Sequence, residues 1–156
     1  MTESRWLNRE EMGTWRALVA MNNRLFARLD EELARAHSIS LAEYEVLVQL
    51  SEAPGGALRM SDLAERALVS RSGLTRRLDG MVEAGLVCRQ ACPSDRRGTL
   101  AVLTERGREA LEAAAPTHVA GVRRHLLDPL SPAQLEGLGE ALRTVLARLE
   151  QDDPGK

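Results

Sequence analysis

The stretch CPSDRRGT, residues 92–99, places two adjacent arginines, Arg96 and Arg97, after Asp95 and between two apolar runs. An arginine held at the tip of a turn can enter the minor groove of DNA, whose negative potential attracts guanidinium groups. Asp95 could orient Arg97 through paired hydrogen bonds. The alternative is a solvated turn in which Asp95 only caps backbone N–H groups. The sequence on either side of this stretch helps to distinguish between these two interpretations.

The helix predicted just before this stretch has an outer face that suits DNA. At about 100° per residue, the apolar side chains fall on one side of the helix; they are Leu74, Leu78, Met81 and Val82. The opposite side is small, polar and basic, with Asp79 and Glu83 toward its far end; it holds Ser72, Gly73, Arg76 and Gly80. Small residues permit close approach, and an arginine there can pair with guanine in the major groove. A plain amphipathic helix does not explain two exposed glycines, each costing ~1 kcal/mol relative to alanine.

The elements that must position these residues are mostly helical. An apolar stripe at spacings of three and four predicts a helix from about 12 to 36; it consists of Leu18, Met21, Leu25, Leu29 and Leu33. Ser40 and Glu43 form a capping box that opens a second helix, with Leu47 and Leu50 facing inward. A short helix over about 61–67 and a tight turn then lead to Ser70, which we predict as the N-cap of the basic helix, and Gly85 ends that helix.

Two β-prone runs follow, 86–91 and 99–103, and predict a hairpin with a long tip. Thr104 caps a helix over about 105–127, in which Pro116 should cause a kink or a break. Ser131, Pro132 and Gln134 mark the start of a last helix. Its near-heptad apolar stripe consists of Leu135, Leu138, Leu142, Val145 and Leu149. The order predicts a mainly α fold with a small β-hairpin.

The composition is that of a globular protein, and its charge is unevenly distributed. The 156 residues carry a formal net charge of -2, but residues 59–108 carry +4 and the flanking segments together -6. A local basic surface of this kind can steer a polyanion. No apolar run is long enough to cross a bilayer, and the N-terminus is too polar for a signal peptide, so we expect a cytoplasmic protein without a membrane partner.

The sequence contains no signature of an enzyme, a cofactor or a metal site. A nucleophile elbow, a P-loop and paired carboxylates are all missing, so we expect no catalytic residues and no cofactor. His37, His118 and His125 have no metal-ligand spacing, and we expect solvated histidines. Cys88 and Cys92 lie about 13 Å apart if they share a regular strand, too far for a disulfide.

From Leu58 to Gly107 the sequence resembles the winged helix-turn-helix core of the MarR family of transcriptional regulators. The D-x-R of the wing (Asp95 and Arg97), Gly98 and the following LTERG are the most specific part. The resemblance spans residues 8–150 as a single domain. It implies a DNA-binding core over 40–104 and dimerisation helices over about 12–36 and 117–149. It also implies a homodimer that binds a pseudo-palindromic double-stranded operator, most often as a repressor released by a small phenolic or other aromatic ligand.

The resemblance assigns roles to particular residues. The recognition helix would contact DNA through Ser70, Arg71, Ser72, Thr75, Arg76 and Arg77, and the wing through Asp95, Arg96 and Arg97. Trp15 and Tyr44 lie on segments that line the family's ligand pocket, and we take them as candidate ligand contacts. Two alternatives stay open: a redox-responsive regulator that uses Cys88 or Cys92, and a helical protein-interaction module without DNA binding. Apolar stripes at both ends exceed what the central unit can cover, which independently favours a dimer.

Overall fold

In the computed structural model, the described residues are 5–66, 71–92 and 95–151, without the side chains of residues 71, 72 and 95–97. The helices are α1 (Arg9–His37), α2 (Leu41–Glu52), α3 (Met60–Arg66), α4 (Arg71–Glu83), α5 (Glu105–Val122) and α6 (Pro132–Gln151). The strands are β1 (Ala57–Arg59), β2 (Val87–Cys92) and β3 (Asp95–Leu103). The chain forms two compact units, Met1–Val119 and Ala120–Lys156.

The sheet has three antiparallel strands in the order β1-β3-β2. The sequence predicts only the hairpin of β2 and β3. The additional strand β1 follows the 3₁₀ turn Pro54–Gly56 and pairs with β3 through Leu58↔Ala101. A strand of three residues is too short to show the alternation of apolar and polar residues on which sequence prediction relies. The predicted mainly helical fold with a winged core is otherwise confirmed.

Side-chain caps begin the helices as local sequence rules require. The predicted capping box of Ser40 and Glu43 is present at α2. At α6, the Ser131 N–H donates to the Gln134 side chain at 2.9 Å, and the Gln134 N–H donates to Ser131 Oγ at 3.3 Å. The helix α1 begins at Arg9, three residues earlier than predicted, because Asn8 and Glu11 form a further capping box. Each cap satisfies backbone N–H groups that would otherwise lack partners.

The last part of the chain departs from the predicted helix boundaries. The helix α5 runs through Pro116 to Val122, so the expected break at that proline is absent. Hydrogen bonding changes seven residues later instead, in the π-helical segment Arg123–Leu127. There the Asp128 N–H donates to the Arg123 carbonyl at 2.8 Å, and the Arg123 guanidinium donates to the Asp128 carboxylate at 3.0 Å. The last helix starts at Pro132, as predicted, so the segment 117–149 contains the end of α5, the π-helical segment and most of α6.

The hydrophobic core lies in the first unit and joins α2, α3 and α4 to the sheet. Leu47, Leu50 and Leu63 are fully buried, as predicted for the inward faces of α2 and α3. Only the C-terminal end of α1 joins this core, through Leu33. Leu18 and Met21, on the predicted stripe of α1, stay exposed. The core of the winged unit, α2 to β3, is therefore formed with little contribution from α1.

The base of the wing is a tight junction between the end of α4 and the start of α5. Gly85 has φ = +72°, and the Leu86 N–H donates to the Met81 carbonyl at 2.9 Å, which is the hydrogen bond of a Schellman motif. Thr104 Oγ1 donates to the Gly85 carbonyl at 2.7 Å and accepts from the Gly107 N–H at 3.0 Å. A Cβ at Gly107 would collide with the Leu86 carbonyl oxygen. Only glycine therefore fits where α5 passes the start of β2.

Two histidines that were expected in solvent are instead held by the fold. His37 Nε2 lies 2.8 Å from Thr117 Oγ1, which links the end of α1 to α5. The His118 ring stacks on Tyr44 with centroids 4.5 Å apart. His118 Nδ1 is buried and has no hydrogen-bond partner among the described residues. The expectation of solvated histidines was wrong for this pair because Thr117 and Tyr44, which are distant in sequence, contact the two rings.

Burial of Tyr44 leads to a prediction about alkaline pH. Burial first, and the neighbouring Glu45 carboxylate second, raise the pKa of Tyr44 above its usual 10.0. Neutral Tyr44 therefore contributes stability that is complete below pH 10 and is lost as the pH rises through the raised folded-state pKa. Tyr44 is the single tyrosine of the chain, so the absorbance of tyrosinate near 295 nm reports it alone. We expect a native midpoint above 10 that returns to about 10 in denaturant.

The control is Tyr44→Phe, which should abolish the absorbance change. It should also flatten the fall in unfolding free energy above about pH 10. A native midpoint equal to that of the denatured chain would contradict the burial of this phenol.

Candidate nucleic-acid interface

The inner face of α4 is anchored in the core. Leu74, Leu78 and Met81 are at most 1% exposed, as their helical spacing predicts. They pack in the same cluster as Leu63 and Ala64 of α3. Because three successive turns of α4 are buried, the helix can present its opposite face without being free to rotate about its axis.

The outer face of α4 is small and basic along the described part. Thr75 and Arg76 are exposed, and Arg77 is half-buried. Gly80 is exposed, and a Cβ built there would meet no atom within 4 Å. Gly73, which the sequence also predicts on the exposed face, is half-buried instead. At Gly80, no packing contact among the described residues offsets the cost of glycine in helix stability.

The acid on this face has a partner that sequence reasoning missed. Asp79 Oδ1 accepts from the Arg89 guanidinium at 2.7 Å, and the same nitrogen lies 3.5 Å from the Thr75 carbonyl oxygen. Arg89 belongs to β2, so this ion pair joins the wing to α4. Ten positions and a glycine turn separate the two residues, and no local periodicity relates them. The pair offsets the negative charge that Asp79 would otherwise place beside Arg76.

The wing is longer and more irregular than the predicted hairpin. The strand β3 begins at Asp95, and the ladder passes from Ala91↔Thr99 directly to Cys92↔Asp95. Residues 96–98 are therefore inserted on β3 between two consecutive pairs, which is a bulge. Arg96 and Arg97 thus occupy a bulged strand end rather than the predicted open loop. The predicted pairing of the Asp95 carboxylate with Arg97 concerns side chains outside the described part of the chain.

Three other predicted DNA contacts are also outside that part. Ser70 is not among the described residues, and for Arg71 and Ser72 only the backbone, in the first turn of α4, is described. The described contacts on the helix are Thr75, Arg76 and Arg77. They lie on successive positions that span the exposed side of one turn.

The two candidate ligand contacts lie in different environments. The Trp15 indole is 55% exposed on α1, where shallow depressions are lined by Leu18, Asn22 and other α1 residues. Tyr44 is 6% exposed in the core against His118. A single chain therefore does not present Trp15 and Tyr44 as two walls of one open pocket.

Other chemistry is sparse in the described residues. Cys88 is half-buried and Cys92 buried on β2, and neither forms a disulfide. No cluster of three or more histidine, cysteine or acidic side chains suited to a metal occurs in the described ranges. Across the same ranges, no helix is both long and apolar enough to span a bilayer.

Comparison with known proteins gives a consistent picture. A model described as the MarR family matches residues 37–98. AbsC, a MarR family transcriptional regulator from Streptomyces coelicolor, is 42% identical with a TM-score of 0.86, over 95% of this chain and 99% of AbsC. Sco3205, another such regulator from that organism, solved in complex with DNA, is 39% identical with a TM-score of 0.90, over 99% of this chain and 95% of Sco3205.

A third structure is similar at lower identity. A MarR variant from E. coli complexed with operator DNA is 27% identical with a TM-score of 0.78, over 91% of this chain and 99% of that chain. The two Streptomyces proteins match this chain over nearly its whole length, and the family model matches the region that contains α4 and the start of the wing. The chain belongs to the MarR family of transcriptional regulators.

Proposed function

We propose that this protein is a homodimeric, sequence-specific DNA-binding repressor that a small aromatic or phenolic ligand releases from its operator. The observation that carries the proposal is the outer face of α4. It combines exposed Arg76 with an open approach at Gly80, above an inner face locked by Leu74 and Leu78. The similarity to Sco3205, solved in complex with DNA, supports this reading.

In this proposal α4 enters the major groove and the wing reaches the minor groove beside it. Arg76 reads a base edge, since an arginine can pair with both acceptors of guanine. Phosphate contacts come from residues that flank it; they are Ser70, Arg71, Ser72, Thr75 and Arg77. At the wing, Arg97 enters the minor groove, Asp95 orients it, and Arg96 meets phosphate. Phosphate contacts position the protein, whereas base contacts supply its specificity.

The proposed dimer uses the helices at both ends of the domain, residues 8–150. Five large apolar side chains of α6 are 41–60% exposed in the single chain; they are Leu135, Leu142, Val145, Leu146 and Leu149. On α1, Trp15, Leu18 and Phe26 are also exposed. Exposed apolar area on this scale is typical of a protein interface. Two-fold symmetry would place the two copies of α4 about 34–36 Å apart, one turn of DNA.

The proposed effector contacts are Trp15 and Tyr44. An aromatic ligand suits both, because the indole offers an open stacking surface and the Tyr44 phenol lies beside the unpartnered His118 Nδ1. In a dimer, a second α1 could cover Trp15 and close a pocket that the single chain leaves open.

Selection of bound duplexes from a random DNA pool tests the proposal directly. We expect a pseudo-palindromic consensus with half-sites about 10 base pairs apart, because a two-fold dimer imposes its symmetry on the site.

Phenolic compounds added to the bound consensus duplex should then release wild-type protein and should release Tyr44→Ala less readily. Recovery of no common sequence would exclude sequence-specific binding, and a consensus that no such compound displaces would exclude the proposed effector.

Two arginine substitutions separate base reading from minor-groove binding. Arg76→Ala should lower discrimination at one base pair of each half-site by ~1–3 kcal/mol, because it loses a bidentate contact. Arg97→Ala should weaken binding to the consensus strongly while the dimer stays intact, since the wing tip is outside the core. Fluorescence anisotropy with the consensus and single-base variants measures both effects. Unchanged base preference in the first variant, or wild-type affinity in the second, would contradict the assignment.

The dimer is tested by a charge on the exposed stripe of α6. Val145→Asp should shift the protein toward monomer, because the carboxylate would have to be buried in the interface at a cost of several kcal/mol. The matched control is Ala147→Asp, which adds the same charge about 200° around the helix. Sedimentation equilibrium measures both dissociation constants. Equal dimerisation of the two variants would show that this stripe is not the interface.

A further inference from the structure

We propose that Arg89 is a positioning residue for DNA binding, which holds the wing at a fixed angle to α4 through its ion pair with Asp79. The inference rests on the proposed function, since it concerns how the two proposed DNA-contacting elements are held together. Arg89 sits on β2, the first strand of the wing, and Asp79 sits on α4 one turn beyond Arg76. The pair therefore connects the proposed base-reading helix to the proposed minor-groove probe.

The geometry of the contact supports a directional role. The Arg89 guanidinium lies 2.7 Å from Asp79 Oδ1, a charge-assisted hydrogen bond of short length. The same nitrogen lies 3.5 Å from the Thr75 carbonyl oxygen, one helical turn earlier, so the guanidinium lies along the α4 backbone. Two points of contact along one helix resist rotation of the strand about the helix more than one point does. Below this contact, the junction at Gly85 joins α4 to β2 at their shared end, and Val87 at the start of β2 packs in the same core cluster as Leu78 of α4.

The exposure of the pair excludes a main role in fold stability. The side chains of Arg89 and Asp79 are 35% and 53% exposed. Ion pairs in such surroundings contribute little to folding, because water screens them and their long side chains lose entropy. A contact with little effect on unfolding can still select one wing angle among several close ones. Simultaneous insertion into two grooves depends on that angle.

The sign of the effect at Asp79 separates positioning from simple electrostatics. Removing a carboxylate near DNA should strengthen binding if only charge matters, since phosphate repulsion falls. Removing Asp79 should instead weaken specific binding if Arg89 acts through it. Glu83 offers a matched control one turn further along α4; it is also exposed and has no ion pair among the described residues. Asp79→Asn and Glu83→Gln each remove one negative charge from the same helix.

The experiment compares affinities for the selected consensus duplex and for a scrambled duplex of the same length and composition. Asp79→Asn and Arg89→Gln should each lower the ratio of the two affinities by about tenfold, and the double variant should be no worse than either single one. Asp79→Glu should restore most of the ratio, because it keeps the charge that Arg89 needs. Glu83→Gln should bind both duplexes as well as wild type or better. Thermal unfolding of the variants should stay close to that of wild type.

Three results would overturn the inference. If Asp79→Asn behaves like Glu83→Gln, Asp79 matters only as a charge. If Arg89→Gln weakens binding to both duplexes equally and makes the salt dependence shallower by about one ion, Arg89 contacts phosphate itself. If Asp79→Asn and Arg89→Gln both lower the unfolding temperature markedly and Asp79→Glu restores only that temperature, the pair is structural. Failure of wild type to select any sequence would refute the proposed function, whereas wild-type selection with one of these three results refutes only this inference.

Discussion

The fold of the winged unit, α2 to β3, depends on the close packing of the α5 backbone at Gly107 against the start of the wing at Leu86. A Cβ atom at position 107 would collide with the Leu86 carbonyl oxygen, so only glycine can occupy this position. The same few residues end α4 through Gly85, start β2 and cap α5 through Thr104. The end of α4, the start of the wing and the start of α5 thus share one backbone junction.

The winged unit and the terminal helices α1 and α6 differ in how much of their apolar surface is buried within one chain. The winged unit buries its apolar residues within one chain, with Leu47, Leu63 and Leu78 fully covered. The apolar stripe of α6, apart from half-buried Leu138, remains exposed, and so do Leu18 and Met21 in the N-terminal part of the stripe on α1. The α4 helix and the sheet are therefore fixed by packing within one chain, whereas the exposed apolar side chains of α1 and α6 have no such cover among the described residues. Polar links such as His37 with Thr117 connect α1 and α5 within the first unit.

Local patterns in the sequence predicted the helices and caps but not the contacts between distant segments. The capping box at Ser40 and the Schellman end at Gly85 each involve residues within six positions, so their chemistry is readable from the sequence. The strand β1, the ion pair of Arg89 with Asp79 and the stacking of His118 on Tyr44 all depend on chain segments that only the tertiary fold brings together. The break that was one of the two outcomes predicted at Pro116 is absent, since a proline removes one backbone donor and the remaining hydrogen bonds of α5 continue the helix through it.

The bulge of residues 96–98 separates the hairpin into two parts with different tolerance of change. Below it, each residue of β2 and β3 has a set partner, and a shift of one position would turn the buried side of Val87 and Ala101 outward. Above it, residues can be added or lost without altering that register. A change in the length of the bulge would therefore leave the paired strands below it in register, and the core beneath the sheet would keep its packing.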